Sequence, residues 1–217
     1  MRRLALFARA PGGEGSKTRL QPAFPRACAA SLYDACLADS LAVLAACAAD
    51  ERFVYWADEP GPASASIASR TQREGTLGER LSAAFAELLA GSSDRALILG
   101  SDTPALTARA VEDAFALLDR HDVVLGPAED GGYWCVGLRR LAPELFRDIP
   151  WSTERVLGAT MERARAAGLA VAMAATLADL DRPADLARLI GRLATGERAC
   201  GEHVRAALRS LGLVPAS

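Results

Sequence analysis

Ala96-Leu97-Ile98-Leu99-Gly100-Ser101-Asp102-Thr103-Pro104 is the stretch on which the reading of this chain turns. Four apolar residues run into a glycine, a serine and a single aspartate, and a proline ends the run. A short, continuously apolar segment closed by Gly and Pro reads as a buried strand of the kind found in parallel sheets. Ligands of open α/β sheets bind just beyond the carboxyl ends of such strands. Asp102 therefore stands where a carboxylate can hold a divalent cation against a diphosphate; Mg²⁺ is commonly held by one or two carboxylates together with substrate phosphates. The competing role for Asp102 is that of a turn or cap residue bonded to a nearby backbone N–H.

On either side of it, strands alternate with helical patterns, as in a mostly parallel α/β sheet. Arg3 to Ala8 reads as a first strand, followed by a Gly-rich loop from Arg9 to about Gln21. An Ala/Leu helix covers roughly Pro25 to Ala48. Arg52 to Trp56 is a second strand, and a Pro/Gly/Ser loop then runs to about Arg70. Leu77 to Leu89 carries Leu81, Phe85, Leu88 and Leu89 on helical spacing. Arg95 to Gly100 is the third strand. Thr107 is placed to cap a helix from Ala108 to about Arg120. Asp122 to Gly126 is a fourth strand and Gly132 to Val136 a fifth, at the sheet edge. Ser152 or Thr153 is expected to cap a helix reaching Ala167 and ended by Gly168. Leu169 to Ala174 is the last strand, and two helices close the chain. No repeat or long linker divides the sequence, so a single domain over residues 1–217 is expected.

The bulk composition narrows the function. Lys+Arg number 25 against Asp+Glu 27, a net charge of −2, which gives no general electrostatic case for nucleic acid or an anionic membrane. The apolar stretch Ala35 to Ala49, interrupted by Asp39, reads as too short to span a bilayer. Leu4 to Ala8 is too short for the apolar region of a signal peptide. Cys28, Cys36, Cys47, Cys135 and Cys200 have neither Cys-x-x-Cys spacing nor histidines at zinc spacing, a pattern suited to reduced thiols in the cytoplasm. His121 and His203 both lie in polar helical contexts and read as surface residues, which argues against Ser/His/Asp or Cys/His chemistry.

Five segments carry residue types suited to chemistry. Arg9-Ala10-Pro11-Gly12-Gly13-Glu14-Gly15-Ser16-Lys17-Thr18-Arg19-Leu20 comes after the first strand; its glycines allow backbone N–H groups near an anion, and Lys17 and Arg19 neutralise phosphate charge. It is not a P-loop, because Ser16 precedes Lys17. Gln72 to Leu81 places Gly75 and Gly78 before an amphipathic helix whose N-terminus suits an anion. Gly100 to Pro104 is the third. Leu125-Gly126-Pro127-Ala128-Glu129-Asp130-Gly131-Gly132-Tyr133-Trp134 combines acids, paired glycines and aromatics that can face a substrate, while Asp130-Gly131 is also a strong hairpin signal. Asp179-Leu180-Asp181-Arg182-Pro183 sets two acids at i and i+2 on one side of an extended chain, with Asp181 as either a second metal-binding carboxylate or a helix N-cap.

Taken together, Lys17-Thr18-Arg19-Leu20, Gly78-Glu79-Arg80-Leu81, Gly100 to Pro104, Asp130 to Tyr133, Ile149-Pro150-Trp151-Ser152-Thr153 and Asp179 to Pro183 resemble, in this order, the DUF2064 family. Its members are also described as arsenosugar-biosynthesis-type glycosyltransferases and are similar to molybdenum-cofactor and 2-phospho-lactate guanylyltransferases. The resemblance covers Leu4 to about Leu189. It implies the GT-A fold of nucleotide-diphospho-sugar transferases, a three-layer α/β/α sandwich with a mostly parallel mixed sheet. It implies a nucleotide held by Ala8, Arg9, Pro11, Gly12, Lys17, Arg19, Gly75, Gly78, Arg80 and Ser101. Asp102 and Asp181 would bind Mg²⁺ or Mn²⁺, and Asp102, Asp130 and Lys17 would be catalytic. Gly131, Gly132, Tyr133 and Trp151 would face a small-molecule acceptor. The family loop commonly reads Pro-Gly-x-Val-Lys-Thr-Arg-Leu, whereas Gly13-Glu14-Gly15-Ser16 precede Lys17 here.

Three functions are expected in turn. The leading one is a metal-dependent glycosyltransferase using a nucleotide sugar. The alternative is a guanylyltransferase-like enzyme joining an NTP to a phosphorylated small molecule. The third is a nucleotide-binding protein without turnover. The final helices are candidates for a homodimer contact.

Overall fold

Strict alternation along the first strand sets the layering. In β1 (Arg2–Ala8), Leu4, Leu6 and Ala8 enter one buried cluster while Ala5 and Phe7 enter the other, as the two-residue period of a strand requires. After it come α1 (Arg26–Ala46), β2 (Glu51–Trp56), β3 (Ala68–Thr71), α2 (Leu77–Leu88), β4 (Arg95–Gly100), α3 (Ala108–Leu118), β5 (Val123–Pro127), β6 (Tyr133–Leu138), a 3-10 turn (Pro143–Phe146), α4 (Val156–Ala166), β7 (Val171–Met173), α5 (Pro183–Ala194) and α6 (Glu202–Ser210). This computed structural model describes residues 1–12, 17, 19–20, 24–57, 61, 65–91 and 94–215. Gly13 to Ser16 and Thr18 of the first-strand loop lie outside the described residues.

The strands among the described residues form one seven-stranded sheet in the order β3-β2-β1-β4-β6-β5-β7. Every pairing is parallel except those of β6, which runs antiparallel to both β4 and β5. Helices α1 and α3 cover one face and α2 and α4 the other. This is the three-layer mixed α/β/α arrangement expected from the sequence. Since β6 is reversed, its N-terminal end lies beside the C-terminal ends of β1, β4 and β5, and the loops that carry the conspicuous acids share one rim of the sheet.

Four expectations need correction. β3 falls in what the sequence suggested was loop: its Ala-Ser-Arg-Thr run is polar because it is a largely exposed edge strand, so no apolar alternation marks it. β6 is internal rather than at the edge, and Trp134 to Leu138 are buried throughout because the strand is flanked on both sides. α4 starts at Val156 with Arg155 at its N-cap and no side-chain cap; Thr153 Oγ1 instead donates to the Pro150 carbonyl at 2.6 Å, and Ser152 adopts φ +65. Asp181 is not the cap of α5, whose N-cap is Arg182.

Other local signals hold. Thr107 Oγ1 accepts from the Ala110 N–H at the start of α3, an interaction typically worth about 1 kcal/mol. α1 spans 21 residues and is, by length and composition, long and apolar enough to cross a membrane, beyond the reach of the shorter Ala35 to Ala49 run. Its apolarity has a local cause, since it is buried on two sides. Tyr33, Leu37 and Leu44 pack into the sheet core, while Leu32 and Cys36 meet Leu186, Leu189, Val204 and Leu208 of α5 and α6. Leu186, Leu189, Val204 and Leu208 of the final helices are thus buried within the chain.

Candidate active site

An open cleft of about 550 Å³ lies at the rim where β1, β4 and β5 end. Lys17 enters it with a side chain only 1% exposed, and its ammonium donates to Asp102 Oδ1 and, at 2.9 Å, to Asp181 Oδ1. Asp102 is delivered by the end of β4. Its backbone carbonyl accepts from Leu180 N–H at 2.9 Å, tying the segment that carries Asp179 and Asp181 to the same rim. Asp185 accepts from the backbone N–H groups of Asp181 and Arg182 at 2.9 and 2.7 Å. The start of α5 is therefore satisfied by Asp185, and the Asp181 carboxylate is left to reach Lys17.

Charge in the cleft is unevenly compensated. Burial alone would lower the pKa of the Lys17 ammonium; the charges of Asp102 foremost, and of Asp181, outweigh it and hold the group above the ordinary lysine range. Asp179 has no such cation. Both of its oxygens are buried without a hydrogen-bond partner among the described residues, and its pKa is pushed up to about 6, first by burial and then by the neighbouring charge of Asp130. Asp130, Asp179 and Asp181 each present an oxygen within 4.8 Å of the others. Three clustered carboxylates, one of them orphaned, make a hard oxygen donor set that fits a divalent cation such as Mg²⁺ or Mn²⁺.

Asp179 supplies a prediction with a definite sign. A buried acid with a raised folded-state pKa binds more protons folded than unfolded between about pH 4 and pH 6, so it costs stability as pH rises through that window. Asp179→Asn should therefore melt above the wild type in EDTA, with a gain that grows from about pH 4 to pH 6 and is flat above. A pH-independent difference in melting temperature would show that Asp179 ionises as an ordinary surface acid.

A further part of the wall is built from the β5–β6 hairpin, which brings Asp130 to the same cluster. Asp130 Oδ1 accepts from Gly132 N–H at 2.8 Å, and Gly131 turns the chain at φ +88. Tyr133 meets Trp151 edge-on with ring centroids 6.4 Å apart. Gly132, Tyr133, Trp151, Ser152 and Thr153 all line the cleft.

Of the residues singled out from sequence, Ala8, Arg9, Lys17, Arg19, Arg80, Ser101, Asp102, Asp130, Gly132, Tyr133, Trp151 and Asp181 come together around this cleft. Pro11, Gly12, Gly75, Gly78 and Gly131 are not in its lining. Gly12 N–H donates to Asp34 at 3.1 Å. The Gly75 carbonyl accepts from Arg80 Nε at 2.9 Å and so orients that side chain. Gly78 is a packing glycine, since a Cβ there would lie 2.3 Å from the Phe146 carbonyl oxygen. Tyr33 lines the cleft outside every segment singled out from sequence, while Gln72, Leu77 and Asp179 lie in such segments and line it without having been assigned a role. The Tyr33 hydroxyl accepts from Arg9 N–H at 2.7 Å and donates to its carbonyl at 2.9 Å, a bracket no sequence signal announces. Asp179 had a signal, its i, i+2 spacing to Asp181.

Neither histidine lines the cleft: His121 bonds the Leu117 carbonyl and His203 pairs with Asp39. The five cysteines are free, and burial pushes Cys36 up to about 12, which leaves it a poor nucleophile.

A mixed seven-stranded sheet with this cleft at its strand ends defines a fold of the nucleotide-diphospho-sugar transferase, or GT-A, class. Residues 19–153 match the family described as "Uncharacterized protein conserved in bacteria (DUF2064)", and the chain belongs to that family. A curated relative, 3-phospho-D-glycerate guanylyltransferase of Phenylobacterium zucineum (strain HLK1), is 35% identical over 187 residues, covering 80% of this chain and 84% of the relative. A crystal structure from Desulfovibrio desulfuricans G20, provisionally named a nucleotide-diphospho-sugar transferase, is 27% identical, with a TM-score of 0.84 over 97% of this chain and 95% of the other. CMP:2-keto-3-deoxy-manno-octonic acid synthetase complexed with CTP shares the fold, with a TM-score of 0.50 at 14% identity over 91% of this chain and 100% of the other. The chain is an enzyme, a nucleotide-using transferase.

Proposed function

We propose that this chain is a nucleotidyltransferase that joins a nucleoside triphosphate to the phosphate of a small organic acid, with GTP and 3-phosphoglycerate the first pair to test. The observation that carries this reading is the guanylyltransferase relative at 35% identity over most of both chains. It moves the balance from the sugar transfer expected from sequence to the alternative held beside it.

In this reaction an acceptor phosphate oxygen attacks the α-phosphorus of the NTP. A new P–O bond forms, the bond from the α-phosphorus to the bridging oxygen breaks, and pyrophosphate leaves. Lys17, Arg19 and Arg80 offset the charge of the triphosphate and of the departing pyrophosphate. Asp130, Asp179 and Asp181, with Asp102 joined to Asp181 through the Lys17 ammonium, would hold Mg²⁺ or Mn²⁺. That cation would supply positive charge against the phosphates and help fix their orientation. Ser101 and the backbone of Ala8 and Arg9 flank the nucleotide side. Gly132, Tyr133 and Trp151 shape the acceptor side, where Gly132 lets a ligand approach the backbone and the rings exclude water. One GT-A-type domain spanning the chain would carry the whole reaction, and the five free cysteines suit the reducing cytoplasm.

The test is incubation with each NTP, 3-phosphoglycerate and Mg²⁺, read by ³¹P NMR for a new diphosphate linkage together with pyrophosphate. A parallel set uses nucleotide sugars. The proposed reaction predicts pyrophosphate release that depends on the acceptor. Release of nucleoside diphosphate from a nucleotide sugar would instead establish glycosyl transfer, and turnover in neither set would make the chain a nucleotide-binding protein.

A further inference from the structure

Lys17 is the chain's one lysine; every other member of its 25 Lys+Arg is arginine. The lysine stands where a compact charge is needed. Its ammonium bridges Asp102 and Asp181 from the protein side, 1% exposed, while the two carboxylates keep 47% and 30% exposure toward the cleft. A planar guanidinium is broad and fork-shaped, whereas an ammonium is a point charge that fits between two single oxygens much as a metal ion does. The backbone at Lys17 sits at φ +53, a region that L residues other than glycine rarely occupy, so the contact is held against an unfavourable local conformation. Asp179, by contrast, gains nothing from Lys17 and stays unpartnered.

We propose that the Lys17 ammonium is a built-in cation that competes with the divalent metal for Asp102 and Asp181. Nucleotide phosphates, by drawing Lys17 away from the carboxylates, then open that pair to the metal. The inference rests on the nucleotide-and-metal reading of the cleft, not on which group is transferred. Lys17 already occupies Asp181 of the Asp130, Asp179 and Asp181 cluster, and two cations on one carboxylate at contact distance repel strongly, so metal alone binds less tightly than the cluster would otherwise allow. Metal and nucleotide then favour each other, and by linkage the favour is mutual. The arrangement keeps the acidic rim charge-balanced and folded before substrate arrives, and it couples metal loading to nucleotide loading.

Mn²⁺ binding to the whole chain without nucleotide, followed by electron paramagnetic resonance, tests this directly. Lys17→Met keeps the length of the side chain and removes its charge. It should bind Mn²⁺ about tenfold more tightly than the wild type, or better, within the range of ordinary site-to-site coupling. Equal or weaker binding by a folded Lys17→Met chain would overturn the proposal. A second measurement needs no variant. Acetylation of Lys17 by an amine-reactive ester, read by mass spectrometry against the N-terminal amine, should be slow in EDTA and faster at a Mn²⁺ concentration that the resonance titration shows to saturate the site, as the metal displaces the ammonium. An unchanged or slower rate would overturn it. Neither readout involves turnover, so a chain that passes both but yields no nucleotidyl product would keep this inference and lose the proposed reaction.

Discussion

Asp102→Asn is expected to lower nucleotidyl transfer by about 10²–10³-fold, the cost of removing one preorganised charge from a phosphoryl-transfer site. Asp102 is the acid at the end of β4, and it contacts the buried Lys17 ammonium directly. The amide keeps the size of the side chain and loses the charge that both Lys17 and a divalent cation require. Lys17 would keep only Asp181 at 2.9 Å. Because Asp102 is 47% exposed, water screens much of the loss, and the fall in melting temperature should be small beside the fall in rate. Steady-state pyrophosphate release, with circular dichroism as the folding control, is the measurement. A folded variant with wild-type turnover would remove Asp102 from the chemistry.

Gly131→Ala should be the most damaging single-methyl change at the hairpin. A Cβ on Gly131 would lie 2.2 Å from the Glu154 carbonyl oxygen and 2.6 Å from its Cα, and the residue sits at φ +88. The obstruction is backbone, which cannot swing aside as a side-chain tip could. Leu157 N–H also donates to the Gly131 carbonyl at 2.9 Å, so movement of the hairpin pulls on the start of α4. Overpacking combined with a positive φ puts the loss at about 2–4 kcal/mol. It should appear as a lower urea midpoint at unchanged slope. Displacing Gly132 and Tyr133 should also raise KM for the acceptor more than for the nucleotide. An unchanged midpoint would mean that the hairpin accommodates the methyl by a shift absent from this structure.

The two predictions differ in how far the sequence foreshadowed them. Asp102 was legible because its placement needs only local rules. A buried strand ends at Gly100, and residues just past the carboxyl end of a parallel strand face the ligand side. The Asp130-Gly131 turn was legible as a hairpin signal. Its packing partner was not, because Glu154 approaches from a separate part of the chain. β3 was missed for the opposite reason: an edge strand with one neighbour buries too little to leave an apolar pattern. Gly78 looked like a ligand-facing glycine because a glycine requirement reads the same in sequence whether a ligand or a carbonyl, here that of Phe146, occupies the space.

The alternation of strands and helices, the mostly parallel sheet and the rim on which Asp102 stands are all written in the order of the residues. They depend on patterns of a few positions, a two-residue period in strands and a 3.6-residue period in helices, which the chain carries locally. The pairing of charges in the cleft is a property of the assembled fold. There Lys17 lies between Asp102 and Asp181, partners 85 and 164 residues away, and among the described residues Asp179 lacks a cation while Asp181 has one. Such pairings depend on strand order and on the reversed β6 bringing distant loops to one rim. No periodicity records which charge meets which, because the free energy of a contact belongs to both partners and to the dielectric around them.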